Sequence, residues 1–276
     1  MKYSVLMPVY FKDNPGWLKT AIDSMLAQTL PPSEFVIVKD GKITNELEKV
    51  LIEYADRYPA LFKITGFEEN RGVGLASRLG VEACAFDYIA RMDADDFCAP
   101  ERIEKQFEAY KKNEKLGAAG CMVDEFIGEP GNITSHVILP EKHEDIVRFA
   151  RKRCPIRHSA LLMKKEALVA CGNYGDIRIG EDYDIIVKLI MHGYEIYNVP
   201  EVLVYMRTSP DFFKRRGGIR FLKKIYKLKN NFRNIGFYSR FDFIRSFSVH
   251  MLVCLMPNFL RDFVYRKLLR KSCKKD

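Results

Sequence analysis

The chain carries no Cys-x-x-Cys pair, no Gly-x-Gly-x-x-Gly run and no Gly-Lys-Ser/Thr. It also has no stretch of about 18 residues free of charge. The first absence excludes a zinc ribbon, and the next two exclude a Rossmann dinucleotide fingerprint and a P-loop. The last leaves no expected transmembrane helix, because the nearest candidate, 243–260, contains Arg245 and His250. The seven cysteines (84, 98, 121, 154, 171, 254 and 273) are odd in number and scattered, which argues against a disulfide framework. Reduced thiols and a cytoplasmic setting are expected instead. Gly and Pro are sparse, at 17 and 12 of 276 residues, which removes collagen-like and low-complexity classes. No repeat of solenoid period is present. The N-terminal apolar run is too short for a secretory signal.

What is present is ordinary globular usage, 47% hydrophobic and 29% charged, enough for one large domain or two small ones. The formal net charge of +9 is unevenly spread. Residues 207–276 hold 19 Lys and Arg against four Asp and Glu, whereas the rest of the chain is mildly acidic. A basic tail on an acidic body implies a polyanionic partner for the tail.

Along the first 125 residues two hydrophobic periods alternate. Compact apolar runs at Tyr3–Val9, Phe35–Val38, Leu61–Phe67 and Tyr88–Met92 read as buried strands. Helical spacing follows each of them, at Trp17–Leu26, Leu47–Tyr58, Val73–Cys84 and from Pro100 onward through Ile103, Phe107 and Tyr110. Strand–helix alternation predicts an α/β fold with a mostly parallel sheet buried on both faces. In such sheets the ligand sits beyond the carboxyl ends of the strands. There the sequence places Tyr10, then Lys39-Asp40-Gly41, then Asn70-Arg71-Gly72, then Asp93-Ala94-Asp95-Asp96.

Asp93 and Asp95 stand at i and i+2, so in an extended segment they point to one side, where a hard cation would be shared with substrate phosphates. The same residues also suit an acidic helix-capping loop. Asp40-Gly41 reads as a turn or as an acceptor for a base or ribose. Gly72 and Gly74 permit close backbone approach, and Arg78 in the following helix reaches either a phosphate or solvent. Glu181-Asp182-Tyr183-Asp184 opens an amphipathic helix, where acids complement the dipole in any case. Asp182 is the candidate base. His158 and the basic loop from Arg207 through Lys214-Arg215-Arg216 complete the set.

Taken jointly, VLMPVY (5–10), AIDSMLAQTL (21–30), FVIVKDG (35–41), NRGVGLASRLG (70–80), YIARMDADDFCAPERI (88–103), RHSALLMKKEAL (157–168), CGNYGD (171–176), GEDYDIIVKLIMHGYEIYNVPEVLVYMR (180–207) and PDFFKRRGG (210–218) resemble a family 2 glycosyltransferase of the GT-A fold, in the style of bacterial capsule, exopolysaccharide and O-antigen enzymes. The resemblance implies a GT-A domain over 1–218, split into a nucleotide-sugar half (1–125) and an acceptor half (126–218), and a basic amphipathic helical tail over 219–276. It implies an inverting, metal-dependent transferase using a UDP-sugar. Asp182 would be the base, and Asp95 the metal ligand for Mn²⁺ or Mg²⁺. Pro8, Val9, Tyr10, Asp40, Asn70, Gly72, Arg78, Asp93, Ala94, Asp95 and Arg207 would line the donor, with His158 and Glu181 supporting the acceptor side. Lys39 replaces the first Asp of the family's Asp-Asp-Gly. The implied partners are the donor, a glycan or lipid-linked acceptor and, through the tail, an anionic membrane face; no nucleic-acid partner is expected. The expected location is cytoplasmic and peripheral on the inner face of the cell membrane. A sugar-nucleotide nucleotidyltransferase and a non-catalytic subunit of the same fold are the alternatives.

Overall fold

A computed structural model describes residues 1–209, 217–257 and 271–272. The expected alternation is present as β1 (Tyr3–Val9), α1 (Pro15–Leu26), β2 (Glu34–Asp40), α2 (Asn45–Arg57), β3 (Phe62–Phe67), α3 (Val73–Ala83) and β4 (Tyr88–Arg91). Strands β3, β2, β1 and β4 lie side by side in that order, all parallel. Successive side chains leave a strand on opposite faces, and the two cores follow that rule. Val5, Met7, Phe35 and Ile37 pack beneath α1, α2 and the later α4 (Arg102–Lys112), while Leu6, Val36, Val38 and Ile89 pack beneath α3.

Two expectations need correction here. β3 is an edge strand and is largely uncovered, because it has a partner on one side only. The helix announced by Pro100 begins two residues later, at Arg102. Between β4 and that helix the sequence hides a two-residue strand, β5 (Phe97–Cys98).

Beyond β4 the sheet turns mixed. β6 (Leu116–Phe126) is followed by β7 (Ile133–Val137), α5 (His143–Ala150), β8 (Leu162–Lys164), α6 (Lys165–Ala170), α7 (Glu181–Met191) and β9 (Glu195–Arg207). β8 runs antiparallel between β4 and β6, and β9 runs parallel to β6 while pairing antiparallel with β5. One sheet is therefore continuous through residue 125.

The tail forms α8 (Ile219–Asn234) and α9 (Arg240–Leu255), the latter opened by a capping box between Ser239 and Asp242. The amphipathic helical tail expected over 219–276 is thus described as helix as far as Leu255; its apolar residues Phe259, Leu260, Phe263, Val264 and Leu268 lie outside the described residues. Lys271–Ser272 adds a short strand, β10, to the edge of β7. Leu228, Phe232, Phe237 and Tyr238 form a third core with Tyr183 and Val187 of α7. These four apolar side chains of the tail are therefore spent on the body of the protein. Among the described residues no helix is long and apolar enough to cross a membrane.

Candidate active site

The parallel strands deliver their carboxyl ends to one rim. At the end of β2, Asp40 is almost fully buried, and its two oxygens accept hydrogen bonds from Asn70 Nδ2 (2.9 Å), Arg71 N (2.7 Å) and Gly72 N (2.9 Å). The carboxylate thereby holds the 70–72 turn in place. Gly72 adopts φ +94°, which a side chain would strain, and the space a Cβ would take is filled by Arg178. A Cβ on Gly74 would meet the carbonyls of Gly175 and Ile177. The two glycines admit the 175–178 loop. Lys39 turns aside and pairs with Glu48 at 2.7 Å.

Asp93–Asp96 makes a turn, with Asp96 N–H reaching Asp93 O at 3.4 Å, so the extended geometry expected for this segment is not found. The carboxylates are nonetheless in close electrical contact. Burial pushes Asp95 up to about 6, aided by the charge of Asp93. Burial and the nearby Asp95 and Asp93 likewise push Asp13 up to about 7. Asp93 itself is held below the usual range, because against its burial stand Arg91, whose Nη2 donates to Oδ1 at 2.6 Å, and His158. Arg91 is buried beneath the turn, and Arg102, equally buried, donates to the carbonyls of Arg91 (3.0 Å) and Leu161 (3.2 Å). A charged residue inside the apolar run 88–92 was the available signal for Arg91. No spacing rule points to Asp13, which takes Tyr10 N–H at 2.9 Å.

Strand pairing explains how Arg207 arrives. β5 follows Asp96 directly and pairs Phe97 with Tyr205 of β9, two residues before Arg207. Arg207 N donates to Asp96 Oδ1 (2.8 Å) and its Nε to Asp95 O (3.1 Å). Its guanidinium lies 4.3 Å from the Trp17 ring and 4.5 Å from that of Phe126. Cation–π contact on two faces fixes a long side chain beside the acidic turn. Trp17 and Phe126 were not singled out in the sequence.

The opposite wall is the start of α7, entered through Gly180 at φ +78°. Glu181 is pushed up to about 7 by burial and then by Asp182, and it feels the charges of Asp93 and Arg91. His158 bridges the walls: Nε2 lies 2.9 Å from Tyr174 OH and Nδ1 3.8 Å from Glu181. Burial, with Arg91 nearby, drops its pKa to about 3, so the ring is neutral at physiological pH. Asp182 faces slightly away; Oδ1 accepts Tyr183 N (2.8 Å) and Oδ2 accepts the Cys154 thiol (3.6 Å). Arg78 is engaged by Glu82 (3.2 Å) and the Tyr174 carbonyl (3.5 Å). Pro8 and Val9 sit in β1 beside β2, and Ala94 is buried in the acidic turn.

All-oxygen donors of this kind suit Mg²⁺ or Mn²⁺. Among the described residues, however, no three His, Cys, Asp or Glu side chains converge well enough to hold an ion alone. Asp95, an oxygen donor beside Asp93 in the acidic turn, fits a cation completed by substrate phosphates.

A core of parallel strands that turns mixed beyond β4, with helices on both faces, has the GT-A fold. Solved structures of that kind superpose on the chain. A mannosyltransferase from Pyrobaculum calidifontis, in complex with GDP-Man and Mn²⁺, gives a TM-score of 0.65 at 15% identity, over 94% of this chain and 71% of that one. GalNAc-T7 with UDP, GalNAc and Mn²⁺ gives 0.70 at 16%, over 96% of this chain and 54% of that one. Residues 4–169 match the family described as Glycosyl transferase family 2, and the chain belongs to that family. It is 33% identical over 270 residues (98% of this chain, 97% of the relative) to an Escherichia coli UDP-Gal:alpha-D-GlcNAc-diphosphoundecaprenol beta-1,3-galactosyltransferase. It is 32% identical over 268 residues (96% and 98%) to the amylovoran biosynthesis glycosyltransferase AmsE of Erwinia amylovora. The nucleotidyltransferase alternative gives way to this membership.

Proposed function

We propose that this transferase moves a sugar, with inversion, from a UDP-sugar to a hydroxyl of a glycan or lipid-linked acceptor in cell-surface polysaccharide synthesis. The observation that carries the reading is the facing of two acidic elements. The Asp93–Asp95 turn and the Glu181–Asp182 helix start are joined through Arg91 and His158. The names of the Escherichia coli and Erwinia relatives support the choice of donor and pathway class.

Residues 1–125 serve the donor and 126–218 the acceptor. The Asp40-braced turn at Asn70–Gly72, with Pro8, Val9 and Tyr10, seats the nucleoside. Arg207, and Arg78 once released from Glu82, face the diphosphate. Asp182 takes the proton from the acceptor hydroxyl as its oxygen forms the new bond to the anomeric carbon. The bond from that carbon to the β-phosphate oxygen breaks on the opposite face, and the electron pair leaves with the nucleoside diphosphate. A divalent cation, held by Asp95 and the phosphates, would supply neutralisation of the leaving group. The basic tail docks on an anionic membrane face, where a lipid-linked acceptor would be met.

One observation favours a second assignment of the base. Glu181, pushed up to about 7, is suited to proton transfer, feels the charge of Asp93 and lies 3.8 Å from His158. A panel of nucleotide sugars tests the whole reading. Nucleoside diphosphate release from a UDP-sugar and a β-linked product from an α-linked donor are expected. Pyrophosphate release, or retention of configuration, would overturn it.

A further inference from the structure

Between α5 and α9 lies a cleft of about 310 Å³ lined by Val147, Arg148, Arg151, Lys152, Asp242 and Arg245. Four of these six residues are cationic. Arg151 is 3.5 Å from Asp242, and Arg148 is paired with Asp145 one turn back on α5. Both of those acids count against an anion, yet cations remain in excess, and Lys152 and Arg245 are exposed. Four of the six, Val147, Arg148, Arg151 and Lys152, come from α5 and the turn that follows it, in the body of the protein, so the cleft is not a property of the tail alone.

The same α9 carries an apolar stripe that is exposed among the described residues. Phe241, Ile244, Leu252 and Leu255 are 69%, 62%, 60% and 58% exposed, and at 3.6 residues per turn they fall within about 80° of the helix circumference. Arg245 borders that arc on the side of the cleft. Ser246 and Cys254 turn the other way and are buried. Alongside, α8 presents Arg220, Lys223, Lys224 and Lys227 to solvent.

A soluble phosphate would be satisfied by the cations and has no use for the stripe. A buried protein partner would cover the stripe and leave the cations unmatched. A surface that is anionic at its face and apolar just beneath matches both. We propose that the α5–α9 cleft seats the phosphate of an anionic phospholipid while the α9 stripe enters the boundary between headgroups and acyl chains. The proposal rests on the reading that the tail meets a membrane, and it names the site and the lipid chemistry of that meeting.

Deleting the tail would be a poor test, because Leu228, Phe232 and Tyr238 brace α7 and their loss would disturb the whole protein. The test uses the full chain, without nucleotide sugar, floated with vesicles of phosphatidylcholine alone or of phosphatidylcholine with phosphatidylglycerol. Retention is expected only with phosphatidylglycerol, and it weakens with added salt. The paired change Arg148→Glu and Arg245→Glu should reduce it about tenfold or more. Ile244→Asp with Leu252→Asp should reduce it comparably. All four side chains are solvent-facing, so melting temperatures should stay near that of the parent. If the parent fails to float with phosphatidylglycerol, the membrane reading falls and this site with it. If the parent floats but the charge-reversed chain floats equally, the membrane reading stands and the cleft is overturned. Equal flotation with neutral vesicles also overturns the phosphate seat. A lower melting temperature with unchanged flotation in the Ile244/Leu252 variant would mean that the chain itself covers the stripe, and would overturn its insertion.

Discussion

Glu181 and Asp182 are neighbours in sequence but stand in different surroundings. Glu181 is turned toward His158 and Asp93, while Asp182 accepts a thiol and its own helix's N–H. Their substitutions therefore separate two roles. Asp182→Asn should keep the fold and nucleotide affinity and lower kcat by about 10²–10⁴-fold, the usual contribution of a general base. Glu181→Gln should cost less and mainly change KM for the acceptor. The reverse ranking would move the base to Glu181. The acidic turn, the Asp182 region and Arg207 were legible in the sequence because strand ends mark ligand sites and short acidic runs are conspicuous. Trp17, Phe126 and Asp13 were not. Trp17 and Phe126 reach Arg207 only through the pairing of β5 and β6 with β9, a long-range event that leaves no local spacing.

At the scale of elements, α8 illustrates how one pattern serves two ends. Its apolar positions read as a membrane-facing stripe in sequence, yet Ile225, Leu228 and Phe232 are buried. Periodicity gives the face of a helix and is silent on what that face meets. The same helix buries a lysine. Lys229 is 1% exposed and donates to the Ser246 carbonyl (3.2 Å) and hydroxyl, and burial lowers its pKa to about 7. The unfolded chain binds this proton up to about pH 10 while the folded chain releases it near 7. Between those limits the unfolded state holds more protons, so stability contributed by this group rises with pH across that window. Lys229→Met, which keeps the length without the charge, should flatten the rise in melting temperature between pH 7 and 9. An unchanged slope would place the pH dependence elsewhere.

For the molecule as a whole, the alternation of β1 to β4 with helices and the parallel sense of those strands were legible in the hydrophobic patterns, whereas the β3-β2-β1-β4 order emerges only in the fold. The mixed half did not follow, because β5, β7 and β8 are two to five residues long and too short to show a period. The donor site proposed above would unite groups from Pro8 to Arg207, so binding should be felt across it. The chain's single tryptophan, Trp17, stacks on Arg207 and is a built-in reporter. UDP should change its fluorescence when Mn²⁺ or Mg²⁺ is present and much less with a chelator, and turnover should follow the same dependence. Full turnover in the chelator would remove the metal from the reading.

Gly180 has a consequence for how the protein comes into being. A Cβ there would stand 2.6 Å from Leu228, so α8 lies directly against the entrance of the helix that carries the carboxylate pair. Tyr183 is joined at 2.7 Å to Tyr238, and Asp184 receives Asn231 at 3.4 Å. During translation, at roughly 5–20 residues per second, the four parallel strands β1 to β4 leave the ribosome first. The residues of α8 and its following turn that steady α7, Leu228, Asn231, Phe232 and Tyr238, emerge well after those strands. The start of α7, with Glu181 and Asp182, is therefore braced only once residues 219–238 are in place.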